Sequence, residues 1–338
     1  MSQIAVVGAT GNVGRLVLKV LSERGVSVDQ VVALSSSESV GKRLSYGDDR
    51  EIRCGSLDEY DFHGSELAIF ATSDAVSERY VDRAVKCGCV AIDSSSCFRM
   101  EADVPLVIPE VNRDSLASYT NRNIVASPNC STTQMLIVLN PLCKVAGIKR
   151  VVASTYQSVS GMGRDAMSEL YNQTKAAFVG QKVEPTEFPR QISFNCIPHV
   201  GDFLDDGSTT EEWKMSAETK KIMGIDIEVA ATCVRVPVFV CHSQALNIEF
   251  HSKISVEEAY DALSEAPGVL VLNHESSLQY VTPIDCVDDD AVYVSRIRED
   301  TTVPYGLSMW VVSDNLRKGA ALNLVQITQI LVDEYLNV

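Results

Sequence analysis

The sequence has no surplus of basic residues, no long apolar run, no C-x-x-C motif and no Cys/His group at zinc-ligand spacing. Its 29 Lys and Arg stand against 45 Asp and Glu, a formal net charge of −16. A surface that acidic repels nucleic acid and anionic lipid, so neither is an expected partner. It also repels an anionic substrate at long range, and such a substrate therefore demands a local cluster of Arg and Lys. No apolar stretch approaches the roughly 20 residues needed to cross a bilayer. The first residues run straight into a strand pattern with no charged n-region or cleavage site, so a cytoplasmic location is expected. The ten cysteines are scattered, with Cys87-x-Cys89 the only close pair. They read as thiols in a reducing compartment, with no metal site. Internal repeats and low-complexity segments are absent as well.

What is present is a chain of 338 residues, too long for a single hydrophobic core, so two domains are expected. Apolar runs at Ile4–Val7, Val31–Leu34, Leu67–Ala71 and Val90–Asp93 alternate with helical periodicity. Val13, Leu16, Val17, Val20 and Leu21 give one such stretch, and 77–86 gives another. This alternation predicts a Rossmann-like, doubly wound parallel sheet over 1–127. Beyond it a helix is expected over Gln134–Val145. Longer β-rich runs follow at Arg150–Val159, Asp226–Phe239, Ala245–Ile254, Ala291–Ile297 and Leu307–Ser313. They predict an α+β domain with a mixed sheet over 128–314. The stretch 182–190 reads as a loop. A final helix over 315–338 is expected to pack back on the first domain.

Gly8-Ala9-Thr10-Gly11-Asn12-Val13-Gly14 lies between a strand and an amphipathic helix. In that context the glycines allow a tight turn and close approach of a pyrophosphate to a helix N-terminus. The competing reading is a turn with no ligand. The second strand ends in Leu34-Ser35-Ser36-Ser37, followed by Glu38, Ser39 and Lys42. The serines and Lys42 suit a 2′-phosphate, whereas Glu38 suits free ribose hydroxyls. On these residues the cofactor expectation is divided between NADP and NAD.

Cys130, in Ser127-Pro128-Asn129-Cys130-Ser131, precedes a predicted helix. A helix N-terminus favours a thiolate there, which suits a nucleophile. Most cysteines are small buried hydrophobes instead, and Cys143 and Cys233 read that way. Among five histidines, His242 is the best candidate acid/base because it follows the apolar run Val236–Val240, read as a strand. His63 and His274 sit in polar loops, His251 in an alternating strand, and His199 is the closest rival. Arg235 lies inside an apolar run and needs a partner in any case. Seven residues separate it from His242, which along one strand would point the two to opposite faces. Glu211 and Lys214 share a helical face, where a solvated pair is the common reading. Arg99 follows a parallel strand's carboxyl end, the edge where ligands bind open α/β sheets.

Several motifs in order resemble one family. They are Gly8–Gly14, Ser94-Ser95-Ser96-Cys97-Phe98-Arg99, the run 104–112, and Pro128-Asn129-Cys130. Gln157-Ser158-Val159-Ser160-Gly161, Glu211-Glu212-Trp213-Lys214, and Arg235-Val236-Pro237 leading to His242-Ser243 complete the set. Over about residues 3–325 the chain resembles the aspartate-semialdehyde dehydrogenases. The resemblance implies reversible, phosphate-dependent and NADP-linked interconversion of aspartyl phosphate and aspartate semialdehyde, on the route to lysine, threonine, methionine and diaminopimelate. It implies Cys130 as nucleophile, His242 as acid/base, and Asn129 and Gln157 beside the reacting carbon. Arg235 would hold the substrate carboxylate, Glu211 its ammonium, and Arg99 with Lys214 the phosphate. Gly8, Thr10, Gly11, Asn12, Val13, Gly14, Ser36, Glu38, Ser39, Ser160, Gly161 and Asn315 would meet the cofactor. A homodimer is implied. Glu38 departs from the pattern, since the family commonly has Arg there. The alternatives are an N-acetyl-glutamyl-phosphate reductase, a glyceraldehyde-phosphate type dehydrogenase, a Cys/His acyl-hydrolase and a nucleotide-sensing module without turnover.

Overall fold

The computed structural model describes residues 3–272 and 279–336; His274 lies outside them. Backbone packing divides the chain into 1–129 with 320–338, and 130–319. The joints of this division fall at 129/130 and 319/320.

The first unit opens with β1 (Gln3–Val7), α1 (Asn12–Glu23) and β2 (Val31–Ser35). Val17, Leu18, Val20 and Leu21 form the buried face of α1, the i, i+3, i+4 stripe that a helix on a sheet requires. Gly25 at φ +80° turns the chain out of α1. Next come β3 (Arg43–Tyr46), β4 (Arg50–Ser56), β5 (Ser65–Phe70), α2 (Asp74–Lys86), β6 (Val90–Asp93), the short α3 (Pro109–Asn112) and β7 (Ile124–Ala126). The seven strands are ordered β3-β4-β2-β1-β5-β6-β7. All pairings are parallel except β3 with β4. That antiparallel edge hairpin escapes the sequence reading because β3 is half polar, with Leu44 and Tyr46 buried and Arg43 and Ser45 exposed. The doubly wound reading holds. The strand order reverses beside β1, between β2 and β5, so the carboxyl ends of β1 and β5 form the crevice where such sheets bind ligands.

The second unit begins with α4 (Cys130–Ala146) and β8 (Ile148–Gln157), then α5 (Arg164–Phe178) and α6 (Thr210–Met223). After them come β9 (Glu228–Arg235), β10 (His242–Phe250), α7 (Val256–Ser264), β11 (Val269–Val271), β12 (Val292–Glu299) and β13 (Gly306–Ser313). Its six strands run β11-β12-β13-β10-β8-β9. The sheet is mixed: β8 pairs parallel with β9 and antiparallel with β10. Two expectations need correction. The run Asp226–Phe239 is not one strand, because β9 stops at Arg235 and Val236–Val240 is a connection. The helix expected from Gln134 starts four residues earlier, at Cys130, so Cys130 is its first residue rather than a residue before it. The chain ends with a π-helical turn over Arg317–Ala321, α8 (Leu322–Ile330) and a second such turn over Leu331–Tyr335. Leu322, Leu324, Val325, Ile327 and Leu331 join the first unit's core.

Candidate active site

In the second unit the candidate residues gather at one edge of the mixed sheet. Gln157 ends β8 and pairs in register with Arg235, which ends β9. On the other side of β8, Ser243 pairs with Tyr156, which puts His242 level with Gln157. Arg235 and His242 are therefore the last and first residues of two strands flanking β8, not two positions on one strand. Cys241, at φ +74°, turns the connecting chain into β10, a conformation costly for a non-glycine residue. Its N–H donates to Asn315 Oδ1 at 3.0 Å, which holds that turn in place.

Ser158 joins the two basic side chains through its backbone. Its carbonyl accepts from Arg235 Nη1 at 2.7 Å, and its N–H donates to His242 Nδ1 at 3.1 Å. His242 is fully buried. Burial, and then the neighbouring Arg235 guanidinium, push its pKa from 6.5 down to about 3, so the imidazole is neutral near pH 7. A neutral ring that accepts at Nδ1 carries its proton on Nε2. That Nε2 is buried with no hydrogen-bond partner among the described residues, a donor left aimed at whatever enters. A Cβ placed on Gly161 would stand 3.4 Å from Arg235 Nη1 and 3.5 Å from His242 Nε2. The absent side chain of Gly161 thus leaves open a position that both groups face.

Arg235 is buried, and burial lowers its pKa, opposed first by Glu211 and then by Cys130. The Glu211 carboxylate is thus the first neighbour that offsets its charge. Glu211 lies in the first turn of α6, where the Thr209–Glu212 capping box fixes the helix start. Glu211 Oε1 accepts from Gln157 Nε2 at 3.0 Å, and Thr155 Oγ1 donates to Gln157 Oε1 at 3.0 Å. Lys214, one turn along α6, is half-buried. Cys130 is half-buried at the start of α4. Two side chains tie that first turn to β10: Gln134 donates to the His242 carbonyl at 3.3 Å and Gln244 donates to the Ser131 carbonyl at 2.8 Å. All ten cysteines are thiols. Burial drives the Cys233 thiol up to about 12, as befits core, but Cys143 is half-exposed rather than core. Ser160 and Asn315 bond to each other, Oγ to Oδ1, at 3.0 Å.

The rival histidines lie elsewhere. His199 stacks on Phe203 at 4.3 Å, His251 is exposed, and His63 pairs with Asp61 at the surface.

In the first unit, Gly8 (φ +80°) ends β1 at the switch point. A Cβ there would lie 2.3 Å from the Ala71 carbonyl, and one on Gly14 would lie 2.1 Å from the Gly8 carbonyl. Both glycines are therefore required by the turn itself. Gly11 is different: a Cβ there meets only ordinary contact at 3.4 Å, and the residue is exposed just ahead of α1, whose first residues Asn12 and Val13 are half-buried. Its bareness is explained by close approach of a ligand to the helix N-terminus, so the turn fits a pyrophosphate. Thr10 Oγ1 meets Ser35 Oγ at 2.8 Å. Ser36 and Glu38 are exposed beyond β2, and Ser39 is buried. Lys42 Nζ donates to Ser39 Oγ at 3.0 Å. Lys42 and Arg15 both act on the Cys54 thiol, which burial raises and Ser35 and these cations lower. Arg15 is a cation of this region that the sequence reading passed over. Arg99, buried, donates to the carbonyls of Ser127 (2.9 Å) and Ser94 (2.7 Å), which fixes the plane of its guanidinium. Asn129 is buried just ahead of Cys130.

Sequence reasoning missed two residues. Ser158 acts on Arg235 and His242 through its carbonyl and N–H, which no side-chain pattern reveals, and its hydroxyl also lies 3.1 Å from His242 Nδ1. Gly319 carries no signal in sequence, yet a Cβ on it would lie 2.6 Å from Cys130 Cβ.

The sequence and the fold both match those of known proteins. Residues 3–119 match the semialdehyde dehydrogenase NAD binding domain, and residues 139–318 match the semialdehyde dehydrogenase dimerisation domain. The chain is 45% identical over 333 residues to the aspartate-semialdehyde dehydrogenase of Rickettsia bellii (strain RML369-C), covering 98% of each protein. It is 48% identical over 335 residues to that of Aquifex aeolicus (strain VF5), again covering 98% of each. Its fold matches the crystal structure of aspartate semialdehyde dehydrogenase II from Vibrio cholerae with a TM-score of 0.95 at 41% identity, covering 98% of this chain and 99% of that one. Full-length identity of this order, with both domains matched in sequence and one fold shared throughout, establishes that the chain belongs to the aspartate-semialdehyde dehydrogenase family.

Proposed function

We propose that the protein catalyses the reversible, NADP-linked reductive dephosphorylation of L-4-aspartyl phosphate to L-aspartate 4-semialdehyde through a thioester on Cys130. The observation that carries this reading is that His242 Nε2, buried with no partner among the described residues, and Arg235 face the same space that Gly161 leaves open, with Cys130 in electrostatic reach of Arg235. The Vibrio cholerae relative, 40% identical, has been crystallised in complex with ASA.

On this reading Cys130 Sγ attacks the acyl phosphate carbon, and the C–O bond to phosphate breaks. The Arg235 guanidinium and the amides of the first turn of α4 meet the negative charge at sulfur. His242 donates from Nε2 to the oxygen on which charge develops and, when the C–S bond breaks, restores the proton balance at sulfur. The substrate carboxylate pairs with Arg235, for which a planar guanidinium is the matching donor. Its ammonium pairs with Glu211. Arg99 and Lys214 hold the departing phosphate and supply the local positive charge that the acidic surface requires. The nicotinamide cofactor, held at Gly8–Gly14 with Ser36 and Ser39, supplies the reducing hydride when bound. Glu38 favours NAD at this position, while Lys42 and Arg15 favour the 2′-phosphate, and NADP is the proposed preference. Place in lysine, threonine, methionine and diaminopimelate biosynthesis, a cytoplasmic location and a homodimer formed through residues 139–318 complete the reading.

The test mixes protein, inorganic phosphate, NADP and aspartate semialdehyde and follows absorbance of the reduced nicotinamide. A rise that requires phosphate supports the proposal. Ester or thioester hydrolysis without cofactor, and no phosphate-dependent rise, would replace it with a thiol acyl-hydrolase. Turnover only with the N-acetylated, longer acyl phosphate would replace it with the sister reductase, for which a carboxylate at Glu211 has no ammonium to meet.

A further inference from the structure

We propose that Gly319 is a positioning residue for Cys130: its missing side chain seats the first turn of α4, and with it the sulfur. The inference rests on the reading of Cys130 as nucleophile. A Cβ on Gly319 would stand 2.6 Å from Cys130 Cβ and 3.2 Å from its Cα. Non-bonded carbons settle about 3.5–4.0 Å apart, so one partner must move by about 1 Å.

Nothing else at this position calls for glycine. Gly319 is not among the residues of positive φ, and it lies within the helical turn Arg317–Ala321, where glycine is less favourable than alanine by about 1 kcal/mol. The steric demand of Cys130 is the remaining reason for it.

The Gly319 side of the contact cannot yield easily. Asp314 Oδ1 accepts from the N–H groups of Leu316 (2.9 Å) and Arg317 (3.0 Å), and its Oδ2 accepts from Asp288 N–H at 2.8 Å. The Arg317 guanidinium is paired with Asp288 at 3.1 Å and with Asp290. Gly319 N–H itself donates to the Asp314 carbonyl at 3.2 Å. Asn315 Oδ1 accepts from the hydroxyls of Ser158 (3.2 Å) and Ser160 (3.0 Å) and from Cys241 N–H. The segment is thus fastened to the loops that hold His242. A side chain at 319 displaces Cys130, and because the sulfur hangs on the displaced Cβ, the thiol moves relative to Arg235 and His242.

The experiment compares Gly319→Ala with the parent protein by turnover, by mass-mapped iodoacetamide alkylation of Cys130, and by thermal unfolding with Cys130 or Gly at position 130. Alkylation of the exposed Cys196 serves as internal reference. A displacement of about 1 Å predicts a loss of about 100-fold in kcat with cofactor KM within about twofold, and a change of about tenfold in the Cys130 to Cys196 alkylation ratio. The destabilisation by Gly319→Ala should shrink sharply when Cys130→Gly removes the Cβ it meets. If Gly319→Ala folds only in the Cys130→Gly background, the contact is equally supported. An unchanged alkylation ratio, or the same stability loss (including failure to fold) in both backgrounds, overturns the proposal. Alkylation and the stability cycle need no substrate. A parent protein without turnover would count against the proposed reaction while those two readouts still decide on Gly319.

Discussion

The backbone N–H of Ser158 donates to His242 Nδ1 while the carbonyl of the same residue accepts from Arg235 Nη1. One peptide segment therefore fixes the proton of the imidazole on Nε2 and sets the place of the guanidinium beside it. In the resting state His242 is a donor. For it to act as base toward the thiol, the ring would have to shed the Nε2 proton or turn an N–H toward the Ser158 amide. In the proposed reaction His242 is therefore the group that steadies an oxyanion, with Arg235 and the α4 terminus meeting the charge on sulfur.

Replacing Cys130 by Ser should abolish turnover and leave cofactor binding unchanged, since Cys130 is not among the residues proposed to hold the nucleotide. Steady-state kinetics and cofactor fluorescence titration check this. Residual activity above about 1% would exclude the thioester, because a serine hydroxyl in the same place is a far weaker nucleophile.

His242→Gln should lower kcat by about 10²–10³, the range for losing one oxyanion donor, with a smaller effect on KM. It should also change the acid limb of stability. Burial holds the folded pKa of His242 near 3, below its ordinary 6.5. The unfolded chain therefore binds the extra proton first, and stability falls as pH drops from 6.5 toward 3, by up to about 1.4 kcal/mol per pH unit. Urea unfolding across that window should show a shallower decline for His242→Gln. An identical slope in both proteins would mean that the ring is not kept neutral by the fold.

Gly161→Ala places a methyl group at van der Waals distance from both Arg235 Nη1 and His242 Nε2. No shorter contact is made, so stability should change by less than about 0.5 kcal/mol. The methyl occupies the position those groups face, and the substrate KM should rise about tenfold or more, with a 1.4 kcal/mol loss as the corresponding scale. An unaltered KM would mean that the substrate binds elsewhere.

Glu38→Arg should lower the KM for NADP relative to NAD by about tenfold, as an acid facing a phosphate is replaced by a cation. Lys42→Met should move the ratio in the opposite direction by severing the Lys42–Ser39 pair. Kinetics with both nucleotides measure the ratio. If neither substitution shifts it, the end of β2 does not read the ribose.

The sequence by itself determined the elements whose signals are local. The run Ile4–Val7, the glycines after it and the stripe Val17–Leu21 specify strand, turn and helix within about twenty residues, because burial period and backbone freedom are short-range properties. The family motifs named Cys130, Arg235 and His242. Tertiary structure decided how those residues meet. Val236–Val240 is as apolar as a strand, but hydropathy does not reveal that Arg235 closes β9 and His242 opens β10 on opposite sides of β8. That depends on pairing partners far apart in the chain. The same holds for the proton on Nε2, set by a backbone amide 84 residues away, and for Gly319, whose requirement exists only because another segment's Cβ occupies the space beside it.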